Sequence, residues 1–375
     1  MLSLNKSTND TSITLDLLRA IAAQMVCVGH ALYFFTEWRP AGPLMQNVGV
    51  LLFFALSGFL IAYTLTERSK NPAYGFWQFF IERFARIYSG LVPALIFVAV
   101  LDGAVIYFSG DPASVPSYSG KIFLDNLLML EGYRGINLIT NLHSAVFGSA
   151  APLWTLVVEW HIYMFVGALF FMGAKPRLIP WLIPVALFFG QTSTHFLLGS
   201  VQDDGVGRGL FMLWLGGAYV FFAARTAIIP YLPAVGLTFI SAVCYVLLTP
   251  PQKEYDFRTY TVLLIFVFAV VMASQAKHFI TSARVVSIIT FFAGYSFTLY
   301  LIHYTIFWAI HVLSPGDGTM KFICSILLSN GIAAVIASQT EMKHKSLARF
   351  LKQAATRYRA EPSEQMPPRS ATDQG

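Results

Sequence analysis

The chain has 375 residues, 56% hydrophobic and only 12% charged, with 25 Lys and Arg against 19 Asp and Glu. A soluble domain carries about a quarter charged residues, so this composition excludes one. The net charge of +6 has to be read through its placement along the chain rather than as a nucleic-acid footprint.

Apolar runs long enough to cross a bilayer recur near 15–35, 44–66, 84–108, 153–172, 178–198, 208–225, 230–249, 259–275, 286–312 and 320–339. The expected fold is all-α, a polytopic integral membrane helical bundle of about ten transmembrane helices. The first run is too long for a signal-peptide core and carries charges, so no removable leader is expected. With the N-terminus inside, 17 Lys and Arg fall on cytoplasmic segments and 7 on the other side; Arg19, within a span, completes the 25. The positive-inside rule then places both termini in the cytoplasm. Three segments follow: a cytoplasmic stretch 1–14, a membrane domain 15–339, and a basic cytoplasmic tail 340–375 that begins as a helix and ends polar and disordered.

The first span, LDLLRAIAAQMVCVGHALYFF, carries Asp16, Arg19 and His30. Arg19 and His30 are about three turns and 16 Å apart on nearly one face, and Asp16 can pair with Arg19 three residues on. Cys27 reads as a buried small hydrophobe rather than a nucleophile; Cys244 and Cys324 are isolated, so neither a disulfide framework nor a metal site is expected. In the second span, FFALSGFLI offers Ser57-Gly58, either a small-residue helix contact or a close backbone approach to a ligand. The third span opens with RFARIY, placing Arg83 and Arg86 one turn apart. They read either as positive-inside flanks or, with Arg19, as an anion site, since guanidinium binds phosphate in bidentate fashion.

The connection 109–152 is expected to be long and non-helical; it contains a short apolar piece, IFLDNLLML, and then Glu131, Tyr133, Arg134 and His143. The fourth span, PLWTLVVEWHIYMF, buries Glu159, a functional candidate by its depth, with His161 packed or interfacial. The GVGRG run at 205–209 lacks the strand–helix context of a nucleotide fingerprint. The ninth span, GYSFTLYLIHYTIF, holds His303 beside Tyr295 and Tyr300; His303 alone reads equally as a bundle histidine or a catalytic one.

Taken in order, Arg19 with His30, FFALSGFLI, RFARIY, LWTLVVEWHIY and GYSFTLYLIH resemble the successive signatures of membrane acyltransferase family 3. The resemblance runs from residue 15 to about 310. It implies a bacterial inner-membrane, multi-pass enzyme moving an acyl group, usually acetyl, from cytoplasmic acyl-CoA to a carbohydrate hydroxyl. Acceptors in the family include lipopolysaccharide O-antigen, exopolysaccharide and peptidoglycan. The resemblance makes Arg19 and His30 the essential pair and implicates Asp16, Arg83, Arg86 and Glu159. The chain departs from the family pattern with Ser89 where proline often follows RIY, and with Thr155 and Trp160-His161 in the fourth-span motif.

On this reading Arg83, Arg86 and Arg19 hold the phosphates of acyl-CoA, with Ser57 and Gly58 beside the arm. His30 acts as general base, with Glu159 orienting the imidazole or binding the sugar. Trp154, Tyr163, Tyr300 and His303 are the expected acceptor or oxyanion contacts. No cofactor is expected to be permanently bound; acyl-CoA is a co-substrate. The remaining expected partners are a carbohydrate or lipid-linked glycan, the lipid bilayer and polysaccharide assembly machinery. The competing class is a carrier using Arg19, His30 and Glu159 as a relay, because intramembrane ionisable residues by themselves do not separate the two.

Overall fold

The computed structural model describes residues 10–38, 40–130, 145–174, 209–278 and 280–360. The expected span 178–198, the GVGRG run before Gly209, the tail after 360, and Glu131, Tyr133, Arg134 and His143 lie outside them.

All regular structure among the described residues is helical. The long apolar helices are α1 (Thr11–Phe35), α2 (Met45–Arg68), α3 (Phe76–Ser109) and, after a short α4 (Gly120–Leu127), α5 (Leu153–Ala174). They continue with α6 (Leu210–Thr226), α7 (Tyr231–Leu248), α8 (Phe257–Ala276), α9 (Ala283–Leu313) and α10 (Thr319–Gln339). A 3₁₀ turn (Glu341–Lys343) leads into α11 (His344–Ala360). Eight stretches are long and apolar enough to cross a membrane, and α6 is a shorter apolar helix. These correspond to nine of the ten expected spans. Outward positions such as Val100, Phe239 and Leu327 are large, apolar and exposed, as a lipid-facing surface requires.

Two expectations are corrected. The third helix begins at Phe76 rather than near 84, because FWQFFIE is itself apolar enough to continue α3 outward. The connection 109–152 is not wholly non-helical: it contains a 3₁₀ turn at Pro112–Ser114 and α4, which takes in the start of the apolar piece and whose N-terminus Ser119 caps by accepting from the Ile122 amide at 3.3 Å. Side chains tie this connection down. The Asn126 amide donates to the Ala145 carbonyl at 2.9 Å, and buried Asp102 of α3 accepts from both the amide and hydroxyl of Ser149 at 2.8 Å.

Helices α1, α2, α6 and α9 form the centre, with α3 and α10 against α9. Lipid tails are as apolar as leucine, so close packing and interhelical hydrogen bonds replace the hydrophobic effect here. The α2–α6 contact shows this. A Cβ on Gly58 would fall on the Trp214 carbonyl, and one on Gly217 would fall on the Ala55 carbonyl. The two glycines let the backbones meet. Polar links include Gln24 donating to Asn330 at 2.6 Å, with Tyr295 donating to the same oxygen at 2.9 Å. At the end of the bundle where α2 meets α3, buried Glu82 accepts from Arg68, from Tyr74 at 2.8 Å and from Lys352 of α11 at 2.6 Å. Burial, then the Glu82 charge, push the Tyr74 phenol above its ordinary value.

Candidate active site

A cavity of about 1170 Å³ opens between α1, α2, α3, α5 and α9 and the segment following α10. Its charged end carries Asp16 and Arg19 from the start of α1, Arg83 and Arg86 from the first part of α3, and Glu341, His344 and Lys345. Further in, its wall includes Ser57, Glu159 and Tyr163, then Thr155 and Tyr300. Pockets for drug-sized ligands run to about 300–1,000 Å³; this one has room for a larger molecule.

The three arginines are not equivalent. Arg19 pairs with Asp16 at 3.6 Å, as the three-residue spacing predicts. Arg86 pairs with Glu341 at 2.9 Å, a partner 255 residues away that pattern reading misses because it lies in the expected tail. Arg83 has no carboxylate partner among the described residues. Its guanidinium stands 5.8 Å from the Phe79 ring and 6.0 Å from the Tyr163 ring, and its buried Nε finds no hydrogen-bond acceptor among the described residues. A buried donor without a partner costs about 1–3 kcal/mol, more when charged. An anion entering the cavity would relieve that cost.

Beyond Arg83 a directional chain of hydrogen bonds crosses the cavity wall. The Trp214 indole donates to Ser57 Oγ at 3.1 Å, and Tyr163 donates to Glu159 Oε1 at 2.5 Å. With the Tyr163 proton so committed, Ser57 donates to Tyr163 Oη at 2.8 Å. Glu159 therefore orders Tyr163 rather than the imidazole of His30. The hydroxyls of Ser57 and Tyr163 point their protons along the chain, so neither serves as an oxyanion donor in this arrangement. Tyr300 Oη and Thr155 Oγ1 are 2.5 Å apart, and both reach the Pro152 carbonyl.

His30 does not line the cavity. Its neighbour is His303, with Nδ1 of His30 2.9 Å from Nε2 of His303 and the rings stacked at 5.1 Å. His303 is fully buried, and its ring lies 6.3 Å from that of Tyr300 in the cavity wall. The tautomers follow from the partners. His303 Nδ1 is 2.9 Å from the Leu299 carbonyl, which only accepts, so Nδ1 carries the proton and neutral Nε2 accepts. His30 then donates from Nδ1 toward His303, its ring also hydrogen-bonded to the backbone of Val26 one turn back, and Nε2 is its lone-pair acceptor. Tyr304 stands edge-on to His30 at 5.2 Å. Since His30 is only part-buried and absent from the cavity wall, its accessible face lies outside the cavity.

Two expected contacts fall elsewhere. Gly58 faces α6, where packing demands it, and not the cavity. Trp154 is half-buried against the hydrophobic core and is not in the cavity wall. His161 turns back onto the Val157 carbonyl at 2.8 Å, a packed role. Among the described residues no group of three His, Cys, Asp or Glu side chains is placed to hold a metal.

The family model described as an acyltransferase domain of family 3 matches residues 12–338. The chain belongs to membrane acyltransferase family 3. A relative of this acyltransferase is the peptidoglycan O-acetyltransferase OatA of Listeria monocytogenes, 25% identical over 317 residues, covering 78% of this chain and 49% of that protein. The chain thus spans about half the length of the curated relative it matches. No solved structure matches it significantly. Family membership selects the transferase over the carrier. It also sets the first motif residue matched, 12, and the last, 338, so Glu341, His344 and Lys345 complete the cavity of this acyltransferase from beyond the shared domain.

Proposed function

We propose that this acyltransferase moves an acyl group, acetyl first among the candidates, from cytoplasmic acyl-CoA to a hydroxyl of a bacterial surface glycan at the inner membrane. Both termini are then cytoplasmic. The observation that carries the reading is Arg83, which lines a large cavity and lacks a counter-ion among the described residues. The phosphates of acyl-CoA supply that counter-ion at the charged end, and the pantetheine arm runs inward past Tyr163 toward Tyr300.

His30 Nε2 meets the acceptor from the other side. It takes the proton of the sugar hydroxyl as that oxygen attacks the thioester carbonyl; the C–S bond breaks and the thiolate leaves. Imidazole is suited to this transfer near neutral pH, where general-base catalysis is worth about 10²–10⁴-fold. The relative's name puts peptidoglycan among the acceptors to test first, beside exopolysaccharide and lipopolysaccharide O-antigen. The test is thiol release from acetyl-CoA by the purified chain supplied with glycan acceptors, together with mass spectrometry of surface glycans from cells with and without the gene. His30→Ala is expected to lose transfer by at least about 100-fold while remaining in the membrane. Full transfer by His30→Ala would remove the base from this scheme.

A further inference from the structure

The segment that follows the last span reads in the sequence as the start of a basic cytoplasmic tail, yet it forms part of the cavity wall. It is fixed at several points. Glu341 is buried, and its Oε2 accepts from the amide and hydroxyl of Thr298 on α9, both at 2.9 Å, while Oε1 holds Arg86 of α3. Met342 lies against Gly294 of α9, where an added Cβ would come within 3.0 Å of its methyl. One helix further, Lys352 is tied to Glu82 of α3 at 2.6 Å. Between these anchors stands Lys345, exposed, on the cavity wall and without an ion pair among the described residues.

The charge balance at this end is then specific. Asp16 offsets Arg19 and Glu341 offsets Arg86. Among the described residues of this end, the cations without an ion pair are Arg83, placed inward beside the Tyr163 ring, and Lys345 at the lip. Coenzyme A has the matching order of charge. Its pyrophosphate follows the pantetheine arm, and its ribose 3′-phosphate lies farther out.

Resting on the acyl-CoA reading above, we infer that residues 341–345 build the nucleotide end of the donor site. Lys345 binds the 3′-phosphate, and Glu341 is a positioning residue that holds Arg86 and the segment in place. A lysine at a lip near the bilayer surface meets phosphate from two sources, the nucleotide and a lipid headgroup, and the experiment separates them.

The experiment is calorimetric titration of the purified full chain with coenzyme A and with 3′-dephospho-coenzyme A. The wild type is expected to prefer coenzyme A. Lys345→Glu is expected to weaken coenzyme A by about tenfold, the loss of one charge-assisted contact, with the dephospho form unchanged; Lys345→Arg is expected to retain the preference. Lys345 is exposed, so these variants leave the packing intact. Unchanged coenzyme A binding by Lys345→Glu would overturn the inference while leaving Arg83 as the phosphate site. Equal weakening of both ligands, or no preference in the wild type, would overturn the 3′-phosphate assignment in favour of lipid or general charge. A wild type that binds neither ligand would overturn the donor reading itself.

Discussion

Replacing His303 tests the link between the two histidines. In His303→Phe the ring volume is roughly kept, but the His303 acceptor for His30 Nδ1–H, now 2.9 Å away, is gone, and only the hydrogen bond to the Val26 backbone one turn back still holds the ring. One neutral hydrogen bond is worth about 0.5–1.5 kcal/mol net, and about 1.4 kcal/mol is tenfold in rate. Weakening the preference for the Nε2 lone pair therefore costs about 2- to 12-fold, the Val26 backbone still restraining the ring. The upper bound is the whole worth of a general base, about 10²–10⁴. We expect kcat for acetyl transfer to fall by about tenfold. The KM for acetyl-CoA should not move, because Arg19 lies about 16 Å along α1 from His30 and the other arginines share its end of the bundle. In His303→Gln the side-chain carbonyl can accept the same proton, so activity should recover to within about threefold of wild type. Steady-state thiol release with acyl-CoA and acceptor varied in turn reads both constants. Wild-type kcat in His303→Phe, or a change confined to KM, would refute the tautomer argument. A Gln variant as slow as the Phe variant would reduce His303 to packing.

Two further outcomes follow from the same geometry. Tyr163→Phe removes the donor to Glu159 and the acceptor for Ser57; turnover at saturating acyl-CoA should drop about tenfold, about the worth of one charge-assisted hydrogen bond, with the amount of protein in the membrane unchanged. Gly58→Ala forces α2 away from the Trp214 carbonyl; thermal unfolding in detergent should show a loss of about 1–3 kcal/mol, whereas Ala on the exposed Gly331, which has open space around it, should cost nothing comparable.

The departures from family pattern acquire a physical setting. Thr155 contacts Tyr300 Oη at 2.5 Å, both on the inner wall of the cavity. Trp160 stacks edge-on with Phe84 and Tyr88 of α3 at 6.4 and 5.7 Å, and His161 is satisfied within its own helix. Both residues therefore belong to packing.

What could be read from sequence was what a single helix determines. Hydropathy over about twenty residues marks a span whatever surrounds it, and the 3.6-residue repeat is enough to pair Asp16 with Arg19 and align them with His30. The family motifs were legible for the same reason, each lying within one helix. Partners chosen across helices were not. His303 meets His30 over 273 residues of separation, and Glu341 meets Arg86 over 255. Gly58 is open between a ligand and a helix until α6 is seen against it, and Glu159 is open between the imidazole and the sugar, while the structure places the Tyr163 hydroxyl on it. Helix periodicity says which residues share a face, but only the packing of helices against one another says what that face meets. In the proposed scheme the chemistry sits at those meetings: Arg83 without a carboxylate among the described residues, Glu341 closing on Arg86, and one histidine beside the other.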